Sequence, residues 1–267
     1  MPALKQTLTL FLATSCLVSV KAQYTDTSSI LKKQNLPANA IEWNAPPAKN
    51  QISSKSFIVP GIMMVYGAAS LKSDRLQAIN KEVREEVWME HPHSTTNIDD
   101  YLRFVPAVAV YGLNAFGIKG KNNFRDRSMI YLMSNVIMSG AIMGVKKLSH
   151  ELRPDGSDYY SFPSGHTAAA FASAEFLRQE YKDVSPWYGV AGYAVAGATG
   201  MLRMYNNKHW VSDVVAGAGV GIASTRLAYL IYPAIKRKLF KDKPVNAMVM
   251  PYYQHKGGGI AMVYHFK

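Results

Sequence analysis

Uncharged apolar stretches recur along this 267-residue chain, and their length constrains the fold more than any other feature of the sequence. Five stretches run for about 12 to 19 residues each, which is long for strands and suits helices. They cover residues 57–71, 104–118, 128–145, 184–202 and 214–225. The chain is therefore predicted to be all-α, a bundle of about six core helices.

Two further patterns support a helical bundle. Segment 73–91 carries apolar residues at three- and four-residue steps, which predicts an amphipathic helix with Ser73 or Asp74 as its cap. Glycine and alanine are dense in the last two apolar stretches, as in Ala216-Gly217-Ala218-Gly219. Such small residues let helix backbones approach closely, in membranes or in tight soluble bundles.

The sequence leaves open whether this bundle is soluble or embedded in a membrane. Stretches of about 15 to 18 residues rise about 22–27 Å as helices, less than the ~30 Å of a hydrocarbon core. Several are apolar on all sides, which favours the membrane. The mean hydropathy of −0.07 argues against a transporter with many spans.

The N-terminus has the pattern of an export signal. Lys5 precedes an apolar segment over 8–20, and the small residue Ala22 ends a cleavage site, so residues 1–22 are predicted to be removed. An uncleaved anchor and a lipidated Cys16 are the alternatives. Residues 23–55 are then an extended polar leader, and residues 56–235 the helical domain.

The C-terminal tail, residues 236–267, begins inside a basic run. Residues 235–243 hold five Lys or Arg side chains, read as the basic end of a helix that Pro244 stops. Residues 248–253 and 260–266 then flank a glycine-rich segment, which predicts a small β-hairpin.

Charge and cysteine content narrow the classes of partner and site. The chain has 30 Lys and Arg against 18 Asp and Glu, a formal charge of +12. That excess suits phosphate-bearing partners such as nucleic acid, anionic lipid or phosphorylated small molecules. Its single cysteine excludes an intrachain disulfide framework and a cysteine-rich zinc site.

Three clusters of polar residues stand at the ends of the apolar stretches. In the first, Lys146 is followed after six residues by Arg153-Pro154, which puts two cations around a helix end and the next loop. Such cations can hold a phosphate, with Arg153 able to bind two oxygens. Taken alone, they can equally offset a helix dipole.

The second cluster is Ser161-Phe162-Pro163-Ser164-Gly165-His166-Thr167, ahead of an alanine-rich segment. Ser164 is predicted to start a helix whose first backbone N–H groups can bind an anion, and Gly165 allows close approach. His166 would stand on that first turn. A histidine that only bonds nearby backbone is the simpler alternative.

In the third cluster, Arg203 is followed after five residues by His209, and Asp213 comes four residues later. The spacing puts His209 and Asp213 on one helix face, where Asp213 can fix the tautomer of a nucleophilic or basic histidine. An ordinary surface pair is the alternative. Helix ends can meet at one face of a bundle, and the three clusters together suit a phosphate group.

These motifs, in this order, resemble the type 2 phosphatidic acid phosphatase family, which shares its fold with vanadium haloperoxidases and bacterial nonspecific acid phosphatases. The first two motifs are complete. In the third, Leu202 stands where the family usually has serine, which leaves the charged residues unchanged. The motifs cover residues 146–213, and the helical pattern extends the likeness to about 57–235.

The resemblance implies a role for each matching residue. His209 would attack phosphorus and form a phosphohistidine, Asp213 would orient His209, and His166 would protonate the leaving alcohol and then activate water. The phosphoryl oxygens would be bound by Lys146, Arg153, Ser164, Gly165 and Arg203. No metal and no other cofactor is expected.

The expected function is a metal-independent phosphatase acting on a phosphate monoester or pyrophosphate, of a lipid in the cell envelope. A soluble periplasmic acid phosphatase acting on small phosphate esters, and a vanadate-dependent haloperoxidase, are alternatives. The expected partners are the phosphorylated substrate and a membrane, not nucleic acid. The protein is expected to be exported, and either to be associated with the membrane of the cell envelope, with the site facing the periplasm, or to be soluble in the periplasm. The oligomeric state stays open.

Overall fold

The computed structural model describes residues 52–90, 93–240, 247–254 and 257–264. The signal segment and almost all of the polar leader lie outside these residues. A 3₁₀ turn, Ser54–Phe57, leads into the first helix, and a five-residue π-helix, Glu85–Met89, follows the second. The helices are α1 (Ile58–Ser70), α2 (Asp74–Arg84), α3 (Ile98–Leu102), α4 (Val105–Ala115), α5 (Phe124–Ser149), α6 (Gly165–Tyr181), α7 (Pro186–Tyr205) and α8 (Val211–Phe240).

The all-α prediction is confirmed, and the bundle is organised around α6. Thirteen of the 17 residues of α6 are buried, and it packs against α4, α5, α7 and α8, while α1 packs on α8. These six helices form the core of the described part of the chain. The buried aromatic side chains of Phe176, Tyr181, Tyr229 and Tyr232 belong to one hydrophobic cluster of this core.

Glycines in α8 allow its backbone to touch α6. A Cβ atom on Gly217 would lie 2.5 Å from the carbonyl oxygen of Ser164, and one on Gly221 would overlap the carbonyl of Ala168. Only glycine fits where a backbone carbonyl is this close. The expected close approach of small residues is thus present, and it fixes the N-terminus of α6 against α8.

Much of the outer surface of the bundle is apolar. The exposed side chains include Ile62 and Val65 on α1, Val108 on α4, and Leu132 and Val136 on α5. Among the described residues, two helices are long and apolar enough to cross a membrane, namely α5 and residues Val211–Lys238 of α8. Most of this part of α8 is buried in the bundle, whereas most of α5 is not.

Several helix bounds differ from the sequence prediction. Ser73 is the N-cap residue of α2, as expected, but its side chain makes no capping hydrogen bond. Helix α8 runs to Phe240, so the domain boundary drawn after residue 235 lies inside it. Helix α3 was not predicted, because five residues are too few to show a helical period.

The expected C-terminal hairpin is present. Strand β1 (Ala247–Gln254) pairs with β2 (Gly257–Tyr264) in antiparallel register, with Ala247 opposite Tyr264 and Gln254 opposite Gly257. The two strands form a two-stranded sheet.

Candidate active site

The three sequence motifs meet where α5 ends and where α6 and α8 begin. Lys146 lies in the last turn of α5, which ends at Ser149 because His150 adopts a left-handed conformation with φ of 45°. Ser164 is the N-cap of α6. The third motif runs from the last turn of α7, which holds Arg203, through a short loop to Asp213 in the first turn of α8.

Direct contacts hold the loop after α5 against the loop before α8. The indole Nε1 of Trp210 donates to the carbonyl of Leu152 at 2.9 Å. Lys208 Nζ forms an ion pair with Asp155 Oδ2 at 2.6 Å. These contacts join the segments that carry Arg153 and His209.

His209 and Asp213 meet, but not on one helix face as the spacing predicted. His209 lies in the loop before α8, which begins at Val211, and only Asp213 is helical. The loop folds back because the backbone N–H of Trp210 donates to Asp213 Oδ2 at 3.0 Å. His209 Nδ1 then lies 3.4 Å from the same oxygen.

A serine that the sequence reasoning gave no role completes this pair. The hydroxyl of Ser161 donates to Asp213 Oδ2 at 2.5 Å and lies 3.5 Å from His209 Nδ1. Ser161 is fully buried. It is the first residue of the second cluster, but no spacing rule connects it to residues about 50 positions later.

The other ring nitrogen of His209 faces the first motif. Arg153 Nη1 lies 3.4 Å from His209 Nε2. Arg153 itself is held by Asp158 Oδ1, which accepts from its Nε at 2.8 Å. Lys146 Nζ donates to the carbonyl of Tyr160 and, at 3.3 Å, to that of Ser161. The first motif therefore brings two cations to the buried histidine.

The N-terminus of α6 lies beside them. Ser164 Oγ accepts from the N–H of Thr167 at 3.4 Å, and the N–H of Ser164 donates to the carbonyl of Asp213 at 3.0 Å. A Cβ atom on Gly165 would meet only Ile142, at an ordinary 3.8 Å. Protein packing alone therefore does not require glycine at position 165.

Two adjacent aspartates of α3 also belong to the site, and the sequence reasoning missed both. Asp99 is buried, and its Oδ2 accepts from Arg203 Nη1 at 2.6 Å. Asp100 Oδ1 lies 2.7 Å from His166 Nε2. Their partners are 66 and 104 positions away in sequence, so no local pattern points to them.

Burial and neighbouring cations determine the charge of the histidines. The pKa of His209 is far below its ordinary value, mainly because the ring is buried, and also because Arg203, Arg153 and Lys146 lie near it. The pKa of His166 is lowered too, first by burial and then by Arg203, although Asp100 opposes the shift. His209 is thus favoured in the neutral form, whereas Asp100 supports the imidazolium form of His166.

A groove opens beside His166. It has a volume of about 410 Å³ and runs along one face of α5, which contributes Asn135, Met138, Ser139 and Ile142. Gly165, His166 and Ala169 of α6 form the facing wall, and Arg103 and Phe104 lie next to them. The lining of the groove is thus mostly apolar, and its polar side chains are Arg103, Asn135, Ser139 and His166.

One group of side chains has the geometry to hold a metal ion among the described residues. Ligand atoms of Asp99, Asp100 and His166 lie within 4.8 Å of one another. Asp99 already accepts from Arg203 and, at 3.2 Å, from Asn206. The three atoms are therefore accounted for by hydrogen bonds and ion pairs with the protein itself.

The structure brings all eight residues predicted from the sequence into one site. Contacts connect Lys146, Arg153, His209, Asp213 and Ser164, and Gly165 and His166 follow Ser164 on the same helix turn. Arg203 and His166 are near enough to His209 to affect its pKa. Their chemical roles stay predictions.

Comparisons with known proteins point in the same direction. A family model of the PAP2 superfamily matches residues 128–237. A lipid A 1-phosphatase of Porphyromonas gingivalis is 43% identical over 196 residues, covering 73% of this chain and 42% of that protein. A lipid A 1-phosphatase of Rhizobium etli is 32% identical over 120 residues, covering 38% and 49%. The chain thus spans less than half the length of the curated relatives it matches.

Two solved structures resemble the chain more distantly. A transmembrane PAP2-type phosphatidylglycerolphosphate phosphatase of Bacillus subtilis has a TM-score of 0.49 and 18% identity, covering 72% of this chain and all of that one. Aquifex aeolicus LpxE has a TM-score of 0.38 and 16% identity, covering 63% and 92%. Both TM-scores lie below 0.5, so the likeness to the PAP2 superfamily depends on the sequence comparisons.

Proposed function

Because residues 128–237 match the PAP2 superfamily, we propose that this chain is a phosphatase that hydrolyses phosphate monoesters or pyrophosphates of a lipid. The observation that carries the proposal is the contact between the first and third motifs. Arg153 Nη1 lies 3.4 Å from His209 Nε2, and Asp213 is on the opposite side of the ring. A phosphoryl group bound by Arg153 would therefore be next to a neutral nucleophile.

In the first step, His209 Nε2 attacks phosphorus. The new N–P bond forms as the ester P–O bond breaks, and the leaving oxygen takes a proton from the imidazolium form of His166, which becomes neutral. Asp213 keeps Nδ1 of His209 in place and stabilises the positive charge that develops on the ring. Ser161 and the Trp210 N–H hold that carboxylate in turn.

In the second step, water replaces His209 on phosphorus. His166, now neutral, takes a proton from the water as its oxygen attacks, and the N–P bond breaks to release inorganic phosphate. The proton that His166 lost in the first step is thereby restored. His209 returns to its neutral form, which its burial favours.

Three cations offset the negative charge of the phosphoryl oxygens. Lys146, Arg153 and Arg203 approach from α5, the following loop and α7, and the first N–H groups of α6 add the positive end of a helix dipole. Arg203 Nε is buried with no partner among the described residues, so it can donate to a phosphoryl oxygen. These groups supply the neutralisation that metal ions provide in other phosphatases.

The groove and the outer surface favour a lipid as the substrate. The groove leads from His166, which faces the leaving group, along apolar side chains of α5. Exposed Val136 and Leu132 on the outer face of α5 suit a membrane setting. The Porphyromonas gingivalis relative is a lipid A 1-phosphatase, so the 1-phosphate of lipid A is the first lipid to test.

The test measures phosphate release from a panel of phosphorylated lipids and a panel of short soluble esters, using one preparation in detergent. We expect lipids to be hydrolysed with the higher kcat/KM, and EDTA to leave the rate unchanged. Preference for soluble esters without detergent would instead indicate the soluble acid phosphatase. Loss of activity in EDTA that zinc or magnesium restores would contradict the metal-independent mechanism. Halogenation in the presence of vanadate, halide and peroxide would indicate a haloperoxidase.

A further inference from the structure

The short helix α3 contributes two carboxylates to the site, and neither belongs to the three motifs. Asp99 is paired with Arg203, a cation for the phosphate. Asp100 Oδ1 lies 2.7 Å from Nε2 of His166. The site therefore contains two His–Asp pairs, of which His209–Asp213 is in a motif and His166–Asp100 is not.

Helix α3 is held in place from the C-terminal end of α7. The side-chain amide of Asn206 donates to the carbonyl of Thr96 at 2.8 Å and accepts from its N–H at 3.0 Å. The same amide donates to Asp99 at 3.2 Å. Asn206 thus holds the chain at Thr96 and at Asp99, directly before Asp100. Because the side chain of Asp100 is also short, its carboxylate has little freedom to move away from His166.

We propose that Asp100 is a positioning residue for His166, and this rests on the phosphatase function proposed above. The Asp100 carboxylate accepts the Nε2–H of His166. The other nitrogen, Nδ1, is then the atom that gives its proton to the leaving oxygen in the first step and takes a proton from water in the second. Asp100 keeps its charge throughout and does not touch the substrate.

The charges around His166 make this contact important. Burial disfavours the imidazolium form of His166, and so do Arg203 on α7 and Arg103 after α3. His209 also lies near enough to interact with the His166 ring. Asp99 favours the imidazolium, but Asp100 is its largest support and the one that forms a hydrogen bond. That hydrogen bond also lowers the pKa of Asp100, which keeps it a carboxylate.

The test compares two phosphate esters that differ in their need for an acid. An alkyl phosphate releases a basic alkoxide, whereas p-nitrophenyl phosphate releases a phenolate that needs no proton. We expect Asp100→Asn to lower kcat/KM for the alkyl ester by about 10- to 100-fold and for the aryl ester by less than about threefold. Tyr101→Phe, on the exposed side of the same helix, is the control and should change neither.

The pH profile gives a second readout that a purely structural role would not change. The alkaline limb of kcat/KM for the alkyl ester should move down by about one pH unit in Asp100→Asn, because the imidazolium loses its carboxylate. Asp100→Glu, which keeps the charge, should keep the limb in place. Equal losses on both esters with an unmoved limb, or a gain in activity, would overturn the proposal.

A measurement without substrate separates this proposal from the phosphatase function. In ¹⁵N-histidine spectra, with His166→Gln identifying the signal, wild-type His166 should carry its proton on Nε2 when neutral. Its pKa should fall by about one unit in Asp100→Asn. If the wild type hydrolyses neither ester, the proposed phosphatase function is contradicted and the role of Asp100 is not. If the pKa of His166 is the same in Asp100→Asn, or if neutral His166 carries its proton on Nδ1, the role of Asp100 is contradicted.

Discussion

The two histidines of the site have carboxylate partners but different surroundings. The side chain of His209 is 2% exposed, whereas that of His166 is 25% exposed and borders the groove. A buried neutral ring suits a nucleophile, since it must attack without first losing a proton. A partly exposed ring suits a group that exchanges protons with the leaving group and with water.

Replacing His209 tests the nucleophile directly. His209→Ala should lower phosphate release by at least about 1,000-fold, because it removes the nitrogen that attacks phosphorus. His150→Asn is the matched control, since it lies at the end of α5 in a left-handed conformation that asparagine tolerates. Turnover near the wild-type rate in His209→Ala would refute the assignment.

The buried His209 also predicts how stability depends on pH. The unfolded chain takes up a proton at this histidine near pH 6.5, but the folded protein does so only at much lower pH. Because the unfolded state then binds more protons, the free energy of unfolding falls as the pH drops below about 6.5, by at most about 1.4 kcal/mol per pH unit for this group.

Thermal unfolding from pH 7 to pH 5 measures this effect. The melting temperature of the wild type should fall across that range, and it should fall less in His209→Gln, which cannot be protonated. Equal slopes in the two proteins would show that His209 is protonated as easily in the folded state as in the unfolded one.

At this scale, the sequence predicted the eight motif residues but not the groups that hold them. Spacing correctly paired His209 with Asp213, although the contact comes from a turned-back loop and not a helix face. Asp100 and the role of Ser161 could not be predicted, because each reaches its partner from a distant part of the chain. Motif spacing predicts neighbours within a segment, whereas these contacts depend on how segments pack.

Among the elements, α8 and α6 set the geometry because their backbones touch. Gly221→Ala should destabilise the protein by about 3 kcal/mol or more, since its Cβ atom would overlap the Ala168 carbonyl, which cannot shift without moving α6. Gly197→Ala on α7 is the control. Its Cβ atom meets nothing within 4 Å, so the change should be neutral or stabilise the helix by up to about 1 kcal/mol.

Melting temperatures of the two alanine variants in the same detergent compare these effects. A Gly221→Ala protein as stable as Gly197→Ala would mean that α6 and α8 are not in backbone contact.

Filling the groove should separate long-chain from short-chain substrates. Ser139→Phe adds a ring to the groove wall on α5, and we expect it to lower kcat/KM for a long-chain lipid phosphate by about tenfold or more while a short soluble ester is hydrolysed as before. Val136→Phe, on the exposed face of the same helix, is the control. Equal losses on both substrates would place the lipid chain elsewhere.

The apolar stretches predicted which helices exist better than where they end. The stretch 214–225 stops at Arg226, yet α8 continues for 14 more residues. Arg226 does not end the helix, because arginine is a good helix former and its Nε donates to the buried carboxylate of Glu175 at 2.8 Å. A charged residue can therefore end an apolar stretch of the sequence without ending the helix.

Across the whole molecule, α5 separates two polar ends. Lys146 lies at the active site, and Asp126 near the other end of the helix binds Tyr232 and Lys236 at 2.8 and 2.7 Å. The uncharged run between Arg127 and Lys146 is the stretch 128–145, which rises about 27 Å as a helix, slightly less than the ~30 Å of a hydrocarbon core.

Membrane insertion can be tested at the middle of that run. Val136 is 64% exposed, so Val136→Lys would put a charge into the lipid at a cost of about 2.5–3.5 kcal/mol, and the variant should appear less in carbonate-washed membranes. Val136→Leu should insert like the wild type. If carbonate washing removes even the wild-type protein from the membrane fraction, α5 does not span the membrane.

The position of Lys146 at the end of this run has a kinetic consequence for a lipid phosphatase. The phosphate site would stand at headgroup depth, so a substrate could reach it by lateral diffusion without leaving its leaflet. Turnover would then follow the mole fraction of substrate in the bilayer, and adding inert lipid would slow the enzyme although the bulk concentration stayed the same.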